Sequence, residues 1–122
     1  MSHGWIAVDL DGTLAHYDGW QGHDHIGAPI PAMVERVKGW LAAGYEVRIF
    51  TARVAIHPNE PPDRIRFYVR WIEDWCEEHV GARLPVTNVK DFGMVELFDD
   101  RAVTVEQNTG RLLAPSQPRY TP

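Results

Sequence analysis

Apolar and polar positions along the chain fall into a short alternating series of strand-like and helix-like segments. Trp5-Ile6-Ala7-Val8 is a continuous apolar run of strand length, the pattern of a strand buried on both faces. It stops at Asp9-Leu10-Asp11-Gly12-Thr13, where polar residues and a glycine predict a loop. From Ala15 to Pro31 the chain is rich in Gly, His, Asp and Pro, has no period, and reads as a surface excursion. Pro31 stands where the first turn of a helix tolerates proline; Val34, Val37, Trp40 and Leu41 follow at helical spacing, and Gly44 marks the stop. Glu46 to Phe50 predicts a second strand, ending at Thr51-Ala52-Arg53. After Pro58, Pro61 and Pro62, Asp63 is placed to cap a long helix. Its apolar face is Ile65, Tyr68, Val69, Ile72, Trp75, Cys76 and His79, and Gly81 closes it.

Pro85 to Val89 predicts a third strand ending at Lys90, and Met94 to Phe98 a fourth ending at Asp99-Asp100. Ala102 to Val105 predicts a fifth, followed by the turn Asn108-Thr109-Gly110. Residues 115–122 hold three prolines and no apolar stripe, so the reading is one domain over 1–114 and a loosely ordered tail over 115–122. Strands alternating with helices predict an α/β fold: βαβ units around a mostly parallel central sheet covered on both sides, a three-layer α/β/α arrangement. In such sheets ligands bind beyond the carboxyl ends of the strands. Asp9, Asp11, Thr51, Lys90, Asp99 and Asp100 each fall at or just past such an end, and are expected to converge on one edge.

Bulk properties narrow the classes of function. The chain has 122 residues, 44% of them apolar and 24% charged, which is ordinary for one globular domain. The single cysteine, Cys76, excludes an internal disulfide and, on an apolar helical face, reads as a small core residue. Asp9 and Asp11 interrupt the apolar start too early for a secretion signal, and no apolar run approaches the roughly 20 residues that span a bilayer. The expectation is therefore a cytoplasmic protein with no membrane partner. A net charge of −5 argues against broad electrostatic binding to nucleic acid or anionic lipid.

The polar residues at the strand ends form a chemically coherent set. Asp9 and Asp11, two residues apart where a strand becomes a loop, can address one small volume, one attacking while the other handles protons. Gly12 permits a tight turn that brings backbone N–H groups toward an anion. Asp99 and Asp100 joined to Asp9 make a hard-oxygen site of the kind Mg²⁺ prefers, and clustered carboxylates call for a divalent cation. Zinc is not indicated, since neither a cysteine pair nor a closed His/Cys set accompanies the acids; His16, His23 and His25 read as a mobile polar flap. Thr51 offers a hydroxyl and Lys90 a compact cation for phosphoryl oxygens, and Arg53 could reach a phosphate with both prongs of its guanidinium. Trp20 stands apart from the other tryptophans in being on the flap.

The order Asp9-Leu10-Asp11-Gly12-Thr13-Leu14, then Thr51, Lys90 and Phe98-Asp99-Asp100, resembles the haloacid-dehalogenase-like (HAD) superfamily across its four motifs, over roughly residues 5 to 105. That resemblance implies a Rossmann-like core and a Mg²⁺-dependent phosphohydrolase. Asp9 would be the nucleophile that forms an aspartyl-phosphate, and Asp11 the general acid/base that also lends its main-chain carbonyl to Mg²⁺. Thr51 and Lys90 would bind phosphate, and Asp99 with Asp100 would complete the metal site. An aspartate at the Asp11 position is similar to the phosphatase branch. The short gaps between motifs leave no room for a cap domain, so the resemblance is to a small capless member with an open site. Its phosphorylated substrate would be a small molecule or a nucleic-acid end, and the pieces Thr51-Ala52-Arg53 and Asp99-Asp100-Arg101 resemble the phosphatase domains of polynucleotide end-repair enzymes. The alternatives are a non-catalytic HAD-like binding module and a receiver-like phosphoacceptor. A receiver needs its acceptor aspartate after a middle strand, where this chain has Thr51-Ala52-Arg53, and has no acidic pair after its lysine.

Overall fold

A computed structural model of the chain describes residues 4–114. Four strands, β1 (Trp5–Val8), β2 (Val47–Phe50), β3 (Val86–Thr87) and β4 (Met94–Phe98), form one sheet in the order β3-β2-β1-β4. All three pairings are parallel, as the alternation of strand and helix patterns predicts. Helix α1 (Pro31–Ala42) joins β1 to β2, and α2 (Ile65–His79) joins β2 to β3.

The two crossovers step across the sheet in the same direction, and right-handed crossovers that do so place their helices on the same face. Packing agrees with that rule. Ile6 pairs with Val47 and Val8 with Ile49, so these four side chains share a face. They join Val34 and Val37 of α1 and Tyr68, Ile72, Trp75 and Cys76 of α2 in one buried cluster. Burying an aliphatic side chain of this kind contributes about 1.5–3 kcal/mol, which is why the periodicity of both helices tracks their inner faces.

The opposite face carries Trp5, Ala7, Arg48 and Phe50, and it is closed differently. Trp5 is buried there; its Nε1 donates to Asp91 Oδ1 at 2.9 Å, and the Arg48 guanidinium lies 4.5 Å over its ring. The returning connection between β3 and β4 passes against the same ring, since a Cβ on Gly93 would stand 2.9 Å from Trp5 Cδ1. A helical layer on each face was expected from the sequence. Both described helices belong to the single cluster above, because residues 88–93 are too few to form a crossover helix.

Element ends mostly match the sequence reading, with three corrections. Helix α1 begins on Pro31, and Gly44 follows its end with φ of +90°, the left-handed conformation a helix stop requires. Asp63 does not cap α2: it lies in a preceding 3₁₀ turn, Pro62–Arg64, and Arg64 occupies the cap position without a side-chain bond. Strand β3 is two residues long rather than running from Pro85 to Val89. The expected fifth strand, Ala102 to Val105, does not join the sheet. Val105 instead bridges antiparallel to Leu112, in a small hairpin turned by Asn108 (φ 65°). Local hairpin pairing satisfies those backbone groups more cheaply than a long return to the sheet. Among the described residues no helix is long and apolar enough to cross a membrane. The expected tail, 115–122, lies outside the described residues.

Candidate active site

The carboxyl ends of β1, β2 and β4 deliver their loops to one cleft of about 910 Å³. Asp9, Asp11, Thr51, Arg53, Asp99 and Asp100 all line it, so six of the seven candidate residues are brought together. Lys90 is not: it is exposed beyond the short β3, and Asn88 lines the cleft from that connection. Arg101, a side candidate in the sequence, also lines the cleft.

One half of the site is a cluster of carboxylates. Asp9, Asp99 and Asp100 can each place one oxygen within 4.8 Å of the others. Asp9 is fixed where β1 ends, its N–H donating to the Phe98 carbonyl at 2.9 Å. Gly12 turns the chain with φ of +91°, and a Cβ there would stand 2.6 Å from Asp100 Oδ2. Only glycine admits both the backbone angle and the carboxylate seated on it. Thr13, almost wholly buried, ties the acids together: its hydroxyl donates to Asp100 Oδ1 at 3.0 Å, faces Asp9 Oδ2 at 3.4 Å, and accepts from the Asp100 N–H at 2.9 Å. Burial and then the negative charge of Asp99 push the Asp9 carboxyl up to about 7, with Asp100 adding through a hydrogen bond and its charge, against a lowering bond from the Leu10 backbone.

The other half is built on Arg53. Thr51 Oγ1 accepts from the Arg53 N–H at 3.1 Å and so starts the 3₁₀ turn Ala52–Val54, leaving its own proton for an acceptor in the cleft. Arg53 is buried, and its guanidinium grips Asp11 with both prongs: Nε to Oδ2 at 2.7 Å and Nη2 to Oδ1 at 2.9 Å. It also donates to the carbonyls of His23 at 3.2 Å and His25 at 2.8 Å. The expectation that this fork meets a phosphate is therefore revised: here it holds Asp11 and the flap. The Asp11 carboxylate lies outside the acidic cluster for the same reason.

These bonds also change the picture of the flap. Ala15 bridges antiparallel to Pro29, His16 N–H donates to Ala28, and Trp75 Nε1 reaches the Gly27 carbonyl at 3.0 Å. A Cβ on Gly27 would stand 1.9 Å from the His16 carbonyl oxygen, so this crossing requires glycine. The segment is stapled to the domain at its base and by Arg53, not loosely tethered.

Sequence reasoning missed the roles of Thr13, of Asn88, and of the Arg53–Asp11 pair. Thr13 sits inside the very motif that was read, but nothing in a string of residues shows its hydroxyl reaching a carboxylate 87 positions away. Compared with the models of known protein families and with curated proteins, the chain matches none.

Proposed function

We propose that this chain is a cytoplasmic, Mg²⁺-dependent phosphomonoesterase of the capless HAD type, working through an aspartyl-phosphate on Asp9. The observation that carries this reading is the junction, in one cleft at the carboxyl ends of the strands, of an acidic cluster and a second aspartate held separately by arginine. A Rossmann-like HAD core belongs to the same proposal. Every group it uses leaves the strand ends, and none comes from a second helical layer.

The residues present fit a Mg²⁺ ion. Three carboxylates converge, oxygen is the donor type this ion takes, and among the described residues no ion pair joins Asp9, Asp99 or Asp100 to a cation. Asp9, Asp99 and Asp100 would hold it, with the main-chain carbonyl of Asp11. Bound there, Mg²⁺ supplies charge neutralisation between an anionic nucleophile and an anionic phosphoryl group.

Asp9 then attacks phosphorus in line; its Oδ–P bond forms as the ester P–O bond breaks, and Asp11 protonates the departing alkoxide. Asp11, now ionised, takes a proton from the water that attacks the aspartyl-phosphate, releasing inorganic phosphate and regenerating Asp9. Both Asp11 oxygens accept from Arg53 in the structure, so this pair opens for Asp11 to carry the proton that it gives to the leaving group, and the Thr51 hydroxyl donates to a phosphoryl oxygen. Lys90 enters as a phosphate ligand through the resemblance alone.

Steady-state hydrolysis of phosphomonoesters tests this directly. EDTA should reduce turnover to background and Mg²⁺ restore it, and Asp9→Asn should lower kcat by about a hundredfold or more while the circular dichroism spectrum is unchanged. Full turnover in EDTA would overturn the metal assignment, and an Asp9→Asn protein keeping a tenth of the rate would overturn covalent catalysis by Asp9. No turnover of any phosphomonoester by wild type would leave a binding module or receiver-like phosphoacceptor as the better description.

A further inference from the structure

The flap brings aromatic rings into the cleft that holds the acids, and the proposed chemistry uses none of them. Trp20 lines the cleft yet remains 54% exposed. It is not a loose surface residue. The Arg53 guanidinium lies 4.9 Å from its ring centroid, and the His23 ring meets it edge-on at 4.8 Å. His23 in turn stacks on Tyr68 at 3.5 Å and 7°, and Tyr68 is buried on α2. A continuous stack thus runs from the helical layer to the cleft and ends in an indole with more than half its surface open. Arg53 lies over one face of this ring, fixed by its bonds to the flap carbonyls, so a ligand ring would use the other face.

An indole ordered by its neighbours and left 54% exposed in a cleft offers a flat ring a stacking platform. A ring seated on Trp20 would find polar groups on the same lining: His57, Glu60, Asn88, and the Nδ1 of His23, which is buried and has no hydrogen-bond partner. Such groups suit a flat ring with donors and acceptors on its edge. The Arg53 guanidinium joins the two parts of the cleft, 2.7 Å from Asp11 on one side and 4.9 Å from the Trp20 ring centroid on the other.

From this geometry, and resting on the phosphomonoesterase reading, we infer that Trp20 is the platform of a nucleobase subsite, and that the substrate is a nucleoside phosphate whose sugar bridges Trp20 and Asp9. The base belongs either to a free nucleotide or to the last residue of a nucleic-acid strand, since the ring chemistry is the same.

The test compares kcat/KM, in saturating Mg²⁺, for AMP, a 5′-phosphorylated oligonucleotide, ribose 5-phosphate and phosphotyrosine, using wild type, Trp20→Ala and Trp20→Phe. Base–aromatic stacking is lost on truncation to alanine, so Trp20→Ala should lower kcat/KM for AMP or the oligonucleotide about tenfold or more. Ribose 5-phosphate should change less than about twofold, and Trp20→Phe should restore most of the loss. Whichever of the two base-bearing substrates wild type prefers identifies the source. Equal use of ribose 5-phosphate by wild type, preference for phosphotyrosine, or equal loss on every substrate in Trp20→Ala overturns the inference. Titration calorimetry with AMP and with the oligonucleotide separates this from the catalytic reading. Binding of AMP or of the oligonucleotide that weakens tenfold in Trp20→Ala supports the subsite even if nothing turns over, and no binding of either to wild type overturns it.

Discussion

Asp9 and Asp11 stand two residues apart on the same loop, yet they inhabit opposite electrostatic worlds. Asp9 is packed among like charges, with Asp99 and Asp100 close by, and its carboxyl is raised to about 7. Asp11 is clasped by a buried arginine at 2.7 and 2.9 Å. On an extended segment residues two apart would share a face; here the chain turns at Leu10 and Gly12, and Arg53 binds the Asp11 carboxylate apart from the cluster. The acidic half leaves its charge uncompensated by protein and so is the half that calls for a cation from solution. The arginine half carries its own compensation and gives the second aspartate a fixed orientation. A single motif thereby produces two carboxylates suited to different work.

Removing the arginine should break this contrast with the largest effect. Arg53→Ala leaves the Asp11 carboxylate, only 19% exposed, without its partner, and strips donors from the His23 and His25 carbonyls. Removing one member of a buried pair costs about 3–5 kcal/mol; with Asp11 partly reached by water, about 2–4 kcal/mol is expected here. Denaturant titration would read this as a lowered midpoint, and thermal melting as a drop of roughly 10 °C. Arg53→Lys should recover less than half, because a point charge cannot make the two-pronged bond. If Arg53→Ala is as stable as wild type, the pair does not hold the flap.

The acidic half should show the reverse behaviour, a gain on mutation. Asp9 titrates near 7 in the folded protein and near 3.8 when unfolded. Between those values the folded state binds more protons, so its contribution to stability is full below about pH 4 and is lost as pH rises toward 7. Allowing for water reaching a partly exposed cluster, the loss is on the order of 1–2 kcal/mol. Thermal melts in EDTA at about pH 5 and pH 8 should therefore show wild type losing more stability than Asp9→Asn over that interval. Asp9→Asn should melt higher at pH 8 although it is inactive. Mg²⁺ should cancel the difference by binding the folded wild type. Identical pH profiles for the two proteins in EDTA would show that Asp9 is not strained by its neighbours.

Most of the fold was legible because its strands and helices are short and strongly patterned. Val34, Val37, Ile72 and Cys76 are buried where the period of 3.6 placed them, and Trp5–Val8 is buried on both faces. What escaped the sequence depends on distance along the chain. Val105 pairs with Leu112 and not with the sheet, and periodicity cannot choose between partners. The acids and Thr51 could be placed in one cleft from topology alone, since the carboxyl-end rule needs only strand boundaries. Lys90 does not line the cleft because β3 stops at Thr87, two residues short of the predicted Val89. The Arg53–Asp11 bond was invisible because a phosphate and a carboxylate offer the same geometry to a guanidinium.

Thr13 sets the smallest and sharpest test, because it touches only the acidic half. Its hydroxyl bonds Asp100 through both side chain and backbone, and it faces Asp9 as well. Thr13→Val keeps the shape in a nearly closed site but removes the hydroxyl, leaving the Asp100 N–H without that acceptor. The fold should lose only about 1 kcal/mol, the net worth of an ordinary hydrogen bond. The larger consequence falls on the cation. With Asp100 no longer pinned toward Asp9, the concentration of Mg²⁺ giving half-maximal turnover should rise about tenfold, the scale on which partners of metal-binding side chains act. The rate at saturating Mg²⁺ should stay within about threefold of wild type, since Asp9 and Asp11 are untouched. Titrating turnover with Mg²⁺ separates the two effects. A lower plateau at an unchanged half-saturation point would mean that Thr13 serves the nucleophile and not the cation site.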